Sequence, residues 1–106
     1  MAKFCQLWLT CKDKTEATKI AKVLLDKRLI ACAKQMPVES VFRWRGKIDK
    51  ASEVLLLMDS RPELFDEIEK LVNKLHSYDT PNLQAVEVAK VTKKTHKWLE
   101  SELKSE

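Results

Sequence analysis

Few residues of this 106-residue chain can do chemistry: three cysteines (Cys5, Cys11, Cys32), two histidines (His76, His96), one tyrosine (Tyr78) and a scatter of carboxylates. Cys11 and His76 stand out because each closes a regular stretch, Cys11 the apolar run from Phe4 to Thr10 and His76 the helical pattern that starts near Leu64. Side chains at the ends of elements can converge, and a thiolate beside an imidazole suits Cu(I), Cu(II) or Zn(II). Glu53 can be a third ligand only if it faces the same cleft. The plainer reading of the pair is structural: Cys11 as a small strand-end residue, His76 as a cation favoured by the negative end of a helix dipole. His96, among lysines, is expected in solvent.

Other chemistries lack their residues. Three cysteines are an odd number with no C-x-x-C spacing, so they read as reduced, intracellular thiols rather than as a disulfide set or a zinc knuckle. No Ser-His-Asp or Cys-His-Asn set is recognisable from spacing, and no enzyme activity is expected. The net charge of +4 comes from acidic and basic residues interleaved along the helical stretches, which is the pattern of a solvated surface and not of a nucleic-acid partner. No apolar run approaches the roughly 20 residues needed to span a bilayer, and no leader pattern opens the chain. A soluble, cytoplasmic protein with no membrane association is the expectation.

The elements that must position these residues follow from periodicity. The stretch from Phe4 to Thr10 has strand composition, and Asp13-Lys14-Thr15-Glu16 has the capping-box form that starts a helix, the glutamate reaching back. Ala17, Ile20, Ala21 and Leu24 then share one face, with Glu16, Lys19, Lys22 and Asp26 directed elsewhere. Arg28 to Ile48 reads as a bent β-ribbon in which Pro37 marks a bend or bulge and Gly46, the only glycine, a hairpin tip. A polar turn is expected at Asp49–Ser52, then a central strand from Glu53 to Met58, covered on both faces. Ser60-Arg61-Pro62-Glu63 is a second capping box, followed by a helix with Leu64, Phe65, Ile68, Leu71, Val72 and Leu75 on its stripe. A loop carries Tyr78 and Pro81, a last strand runs from Leu83 to Val91, and a closing helix from Lys93 to Lys104 puts Trp98, Leu99 and Leu103 on one side. The order β-α-β-β-α-β-α in one domain, residues 1–106, predicts an α+β fold: a ferredoxin-like βαββαβ(α) two-layer sandwich with an antiparallel sheet.

Four ordered blocks, R-L-x-A-C at Arg28–Cys32, W-x-G-K-I at Trp44–Ile48, E-V-x-L-L from Glu53 and H-x-Y-x-x-P at His76–Pro81, make the chain resemble the CutA divalent-cation tolerance family along nearly its whole length. The resemblance implies a trimeric, ferredoxin-like cytosolic protein that binds copper and other divalent ions. Cys11 and His76 fall where the family's bacterial members have their copper-associated cysteine and histidine. Two departures stand out: Leu75 replaces a second histidine of some members, and Asn82 replaces the glutamate usual after the motif proline. A site reduced to Cys11 and His76 would bind weakly, so the metal, copper first, is not obligatory.

A two-layer sandwich leaves one sheet face bare, and the ribbon has apolar residues on both parities, so a partner subunit is expected to cover them. Trp44, Phe42 and Cys32 are the expected interface residues, Trp44 as anchor and Cys32 otherwise a small buried hydrophobe. Lys47, Tyr78 and Asp79 can line a pocket between subunits for a small anion, by analogy with other trimers of this fold. An RNA-recognition module would need aromatics on the third strand, and Glu53 to Met58 has none. An acylphosphatase-like enzyme would need an arginine in the loop from Cys11 to Thr15, which lacks one. The competing reading to metal binding is a non-catalytic regulatory or scaffold trimer that binds a small metabolite or another protein, with metal binding incidental.

Overall fold

The computed structural model describes residues 3–105. The chain forms β1 (Phe4–Cys11), α1 (Lys14–Asp26), β2 (Cys32–Trp44), β3 (Lys47–Ser60), a single 3-10 turn at Pro62–Leu64, α2 (Phe65–Leu75), β4 (Leu83–Val88) and α3 (Lys93–Glu102). The strands make one antiparallel sheet in the order β2-β3-β1-β4, the ferredoxin-like arrangement expected from the element order. Leu7, Leu9, Leu56 and Met58 alternate onto one sheet face and are fully buried with Ile20 and Leu24 of α1 and Ile68 and Val72 of α2. That layer is the core.

Where α1 ends, Leu29 N–H donates to Leu24 O (3.0 Å) and Arg28 N–H to Leu25 O (2.9 Å), which closes the helix with Arg28 at φ 58. A left-handed residue is usually glycine, but Arg28 has a second duty: its Nε donates to Glu102 O (2.9 Å) and its Nη2 to Ser101 O, capping α3. The turn after α1 is thus tied to the end of the chain. At the other end of α3, the Thr92 hydroxyl accepts from Thr95 N–H.

The ribbon differs from expectation. Asp49–Ser52 is not a turn but part of β3, paired with Phe42, Val41, Ser40 and Glu39. The distal ribbon runs past the end of β1 with both faces in water, so polar side chains there do not oppose a strand, and the Ser52 hydroxyl donates to the Glu39 carboxylate (2.9 Å). Pro37 stays in register opposite Val54 without a bulge, because β2 is an edge strand, where a missing N–H is tolerated. Trp44 and Lys47 flank a two-residue turn with Arg45 at φ 51 and Gly46 at φ 80, the signature of a type I′ hairpin.

Two further boundaries move for identifiable reasons. Ser60 does not cap α2: it ends β3, fully buried, and its hydroxyl donates to Leu29 O (2.6 Å), so the helix starts through the 3-10 turn. β4 stops at Val88, opposite Phe4, because β1 offers no further partner. Trp98 does not join Leu99 and Leu103 in the core and stays 42% exposed. The sheet face away from α1 and α2 is largely uncovered: Trp8, Met36 and Val86 are exposed and Leu55 and Leu57 half-buried, and Trp8, Leu55 and Val86 line a shallow hollow of about 420 Å³.

Candidate metal centre

β1 delivers Cys11 to its very end, where the thiol is fully buried. Two residues on, Asp13 starts α1 by accepting from Glu16 N–H (2.8 Å), as a capping box requires. Glu16 does reach back, but to Lys12 N–H (2.9 Å) with one carboxylate oxygen, while the other accepts from Ser77 N–H across the fold (2.8 Å). Its side chain therefore turns inward and is 7% exposed, contrary to the expectation that it points away from the buried face.

α2 ends at Leu75, and His76 follows with its N–H on Val72 O (2.8 Å). The ring is buried, with Nε2 2.8 Å from Thr10 O and Nδ1 3.1 Å from Tyr78 N. A carbonyl can only accept and an amide N–H only donate, so Nε2 carries the proton and Nδ1 the lone pair. His76 is thus held as a neutral imidazole rather than as a solvated cation at a helix end.

One donor atom each from Cys11, Glu16 and His76 lies within 4.8 Å of the other two. Sulfur, oxygen and nitrogen together suit a borderline divalent ion such as Cu(II) or Zn(II) and not a hard ion such as Mg(II). The His76 Nδ1 and the Glu16 carboxylate are 3.8 Å apart and neither has to lose a proton to ligate, although Nδ1 already accepts from the Tyr78 amide; the thiol does have to lose one. Burial, then the charges of Glu16, Glu53 and Asp13, push the Cys11 thiol up to about 12. Burial also raises the Glu16 carboxyl, but hydrogen bonds from Lys12 and Ser77 outweigh it and hold Glu16 below the ordinary range. The same residues would compose a Cys-His-Glu hydrolytic set. A nucleophile needs a depressed pKa and a ring nitrogen aimed at the sulfur, whereas here the thiol is pushed up and both ring nitrogens have other partners.

Residues 5–102 match the family of the CutA1 divalent ion tolerance protein. A divalent-cation tolerance protein CutA of Archaeoglobus fulgidus is 36% identical over 94 residues, covering 89% of this chain and 92% of that one. The chain belongs to the CutA1 family. Its fold superposes with a TM-score of 0.92 on a structure of A. fulgidus CutA, described as a periplasmic divalent cation tolerance protein, at 34% identity over 95% of this chain and 99% of that one. CutA1 from Oryza sativa gives a TM-score of 0.94 at 26% identity, over 99% and 97% of the two chains. Among the described residues, no helix is long and apolar enough to cross a membrane.

In this CutA1 chain the other residues singled out from the sequence fall as follows. Glu53 is buried at 8% but stands on the opposite sheet face from Cys11, because Cys11 pairs with Val54 and neighbouring strand residues alternate. Glu16, not Glu53, is the carboxylate beside the Cys11–His76 pair. Glu53 accepts instead from the Tyr78 hydroxyl (2.7 Å), which comes round the end of β1, and burial followed by Glu53 raises the pKa of that hydroxyl. Asp79 is exposed and 3.9 Å from Arg45; Lys47 lies at the hairpin turn, and no described contact joins it to Tyr78 or Asp79. Trp44 and Phe42 are 42% and 38% exposed on the ribbon. Cys32 is half-buried, with Lys34 Nζ 3.6 Å from its sulfur. Leu75 is half-buried against the core, and the Asn82 side-chain oxygen accepts from Gln84 (2.8 Å).

Glu16 was missed because Cys11 and Glu16, five residues apart across a strand-to-helix turn, follow no ligand spacing. The signal available was the capping box itself: a glutamate that reaches back past the cap also reaches the strand end.

Proposed function

We propose that this CutA1-family protein is a non-catalytic homotrimer of the cytoplasm that binds a divalent metal ion, copper in preference, weakly and reversibly at Cys11, Glu16 and His76. The convergence of the three donor atoms within 4.8 Å carries the reading. Copper is preferred over zinc and nickel by the general order for nitrogen and sulfur ligands. Binding is weak because the Cys11 proton, held up to about 12, has to leave. The largely uncovered apolar sheet face and the exposed aromatics of the ribbon support assembly with further copies. The three unpaired cysteines support a reducing compartment. Calorimetric titration with Cu(II) tests this: Cys11→Ser, His76→Ala is expected to lose the site, and unchanged affinity and stoichiometry in that double variant refute it.

One observation favours the second reading, a regulatory or scaffold trimer with incidental metal binding. Glu16 and His76 already have protein partners for both carboxylate oxygens and both ring nitrogens. A metal must therefore displace something.

A further inference from the structure

What it must displace can be read from the hydrogen bonds. Of the three residues after α2, His76 is fastened to the end of β1 and Ser77 to α1, and Tyr78 is fastened to His76. His76 Nε2–H donates to Thr10 O, Ser77 N–H donates to Glu16, and Tyr78 N–H donates to His76 Nδ1. A fourth bond, from the Tyr78 hydroxyl to Glu53, anchors the same loop on the other sheet face.

The candidate ligands differ in spare capacity. A carboxylate has about four lone-pair sites, so Glu16 can bind a cation and still accept from Ser77 and Lys12. A neutral imidazole has one lone pair, and here it is on Nδ1. Nε2 offers none while its proton is held by Thr10 O at 2.8 Å. The lone pair that faces Glu16 is therefore the one that the Tyr78 amide already uses.

Resting on the metal-binding reading above, we propose that a divalent ion and the Tyr78 amide compete for His76 Nδ1, so that loading the site unfastens the loop at Tyr78. Because Tyr78 also holds Glu53, the release passes from the metal centre to the sheet face away from α1 and α2. The loop is a latch whose closed state is the metal-free one. Breaking the latch then adds to the cost of removing the Cys11 proton, since part of the metal's binding energy goes into it.

Zinc is a suitable probe because it is diamagnetic. With ¹⁵N-labelled full-length protein and Zn(II), the His76 ring nitrogens and the amide exchange rates are read by NMR. The expected result is zinc on Nδ1 and Tyr78 amide exchange faster by roughly tenfold, as for loss of one modest hydrogen bond, with the Ser77 and Lys12 amides still protected. Tyr78→Phe, which weakens the latch without touching a ligand, is expected to bind zinc about two- to tenfold more tightly. Zinc on Nε2, an unchanged Tyr78 amide in the zinc-loaded protein, or unchanged zinc affinity in Tyr78→Phe would each overturn the latch while leaving the metal site standing. Zinc that moves no signal of Cys11 or His76 would remove the metal reading and the latch with it.

Discussion

Glu16→Gln is the perturbation that separates the cluster from a merely polar corner of the fold. The carboxylate accepts two backbone N–H bonds, at 2.9 Å from Lys12 and 2.8 Å from Ser77, and is 7% exposed. An amide of the same shape presents NH₂ to one of those donors, so one bond is lost and a buried N–H is left unpaired, a loss of about 1.5–3 kcal/mol for a charge-assisted bond. The charge also sits in the first turn of α1, where removing it costs about 0.3–1 kcal/mol more. The expected total is about 2–4 kcal/mol at pH 7. Glu16 titrates below its ordinary range in the folded chain, so its contribution is present above the unfolded pKa and is lost as pH falls through the lower folded value. The gap between wild type and variant should accordingly begin to shrink as pH falls below the ordinary glutamate value of about 4.3, where the unfolded chain protonates first, and stop shrinking once pH is below the lower folded value, where the native side chain is protonated too. Urea unfolding at pH 7 and in acid, at one fixed protein concentration because assembly adds to apparent stability, measures both quantities. A gap under about 0.5 kcal/mol at pH 7, the size expected of an ordinary surface change, would refute the reasoning. So would a gap that does not change with pH.

Copper affinity should fall as pH drops from about 8 to 6, by about tenfold per pH unit, because the Cys11 thiol stays protonated throughout and one proton leaves for each ion bound; a flat profile from titrations at several pH values would exclude the thiolate as ligand. Native mass spectrometry should give a trimer, with Trp44→Ala weakening it by about 2 kcal/mol per buried site; a stable monomer at micromolar concentration ends that expectation. Gly46→Val should cost about 1–2 kcal/mol from backbone strain alone, since φ is +80 and an added Cβ meets nothing within 4 Å. Unchanged thermal stability would show that the turn relaxes freely.

The elements were legible where one local signal stood unopposed. The stripe Ala17, Ile20, Ala21, Leu24 is buried as its spacing predicts, and the two central strands are the ones with the densest apolar runs. Local signals failed where a distant partner outbid them. Ser60 has the sequence of a helix cap, but the Leu29 carbonyl, 31 residues away, takes its hydroxyl. Asp49–Ser52 has the polarity of a turn, but β2 continues beside it and supplies strand partners. Arg28 gives no sign of a left-handed conformation, because the carbonyls it caps belong to residues 73 and 74 positions later.

The candidate metal site divides the same way. Cys11 and His76 could be singled out from the sequence because strand and helix periodicities place both at element ends, and such ends meet at one edge of a two-layer fold. The choice between Glu53 and Glu16 could not be made there. Glu53 looked available, but strand alternation from Val54 turns it to the other face, and that parity is set by the register of β1 on β3. Glu16 looked like a capping residue in solvent, and it became buried because Ser77, 61 residues on, brings it a backbone N–H. Sequence determines which groups a chain has and which end of an element each occupies, since these follow from local periodicity. Only the tertiary structure decides which of them share a cavity and which lone pairs remain, because that depends on contacts between residues far apart in the chain.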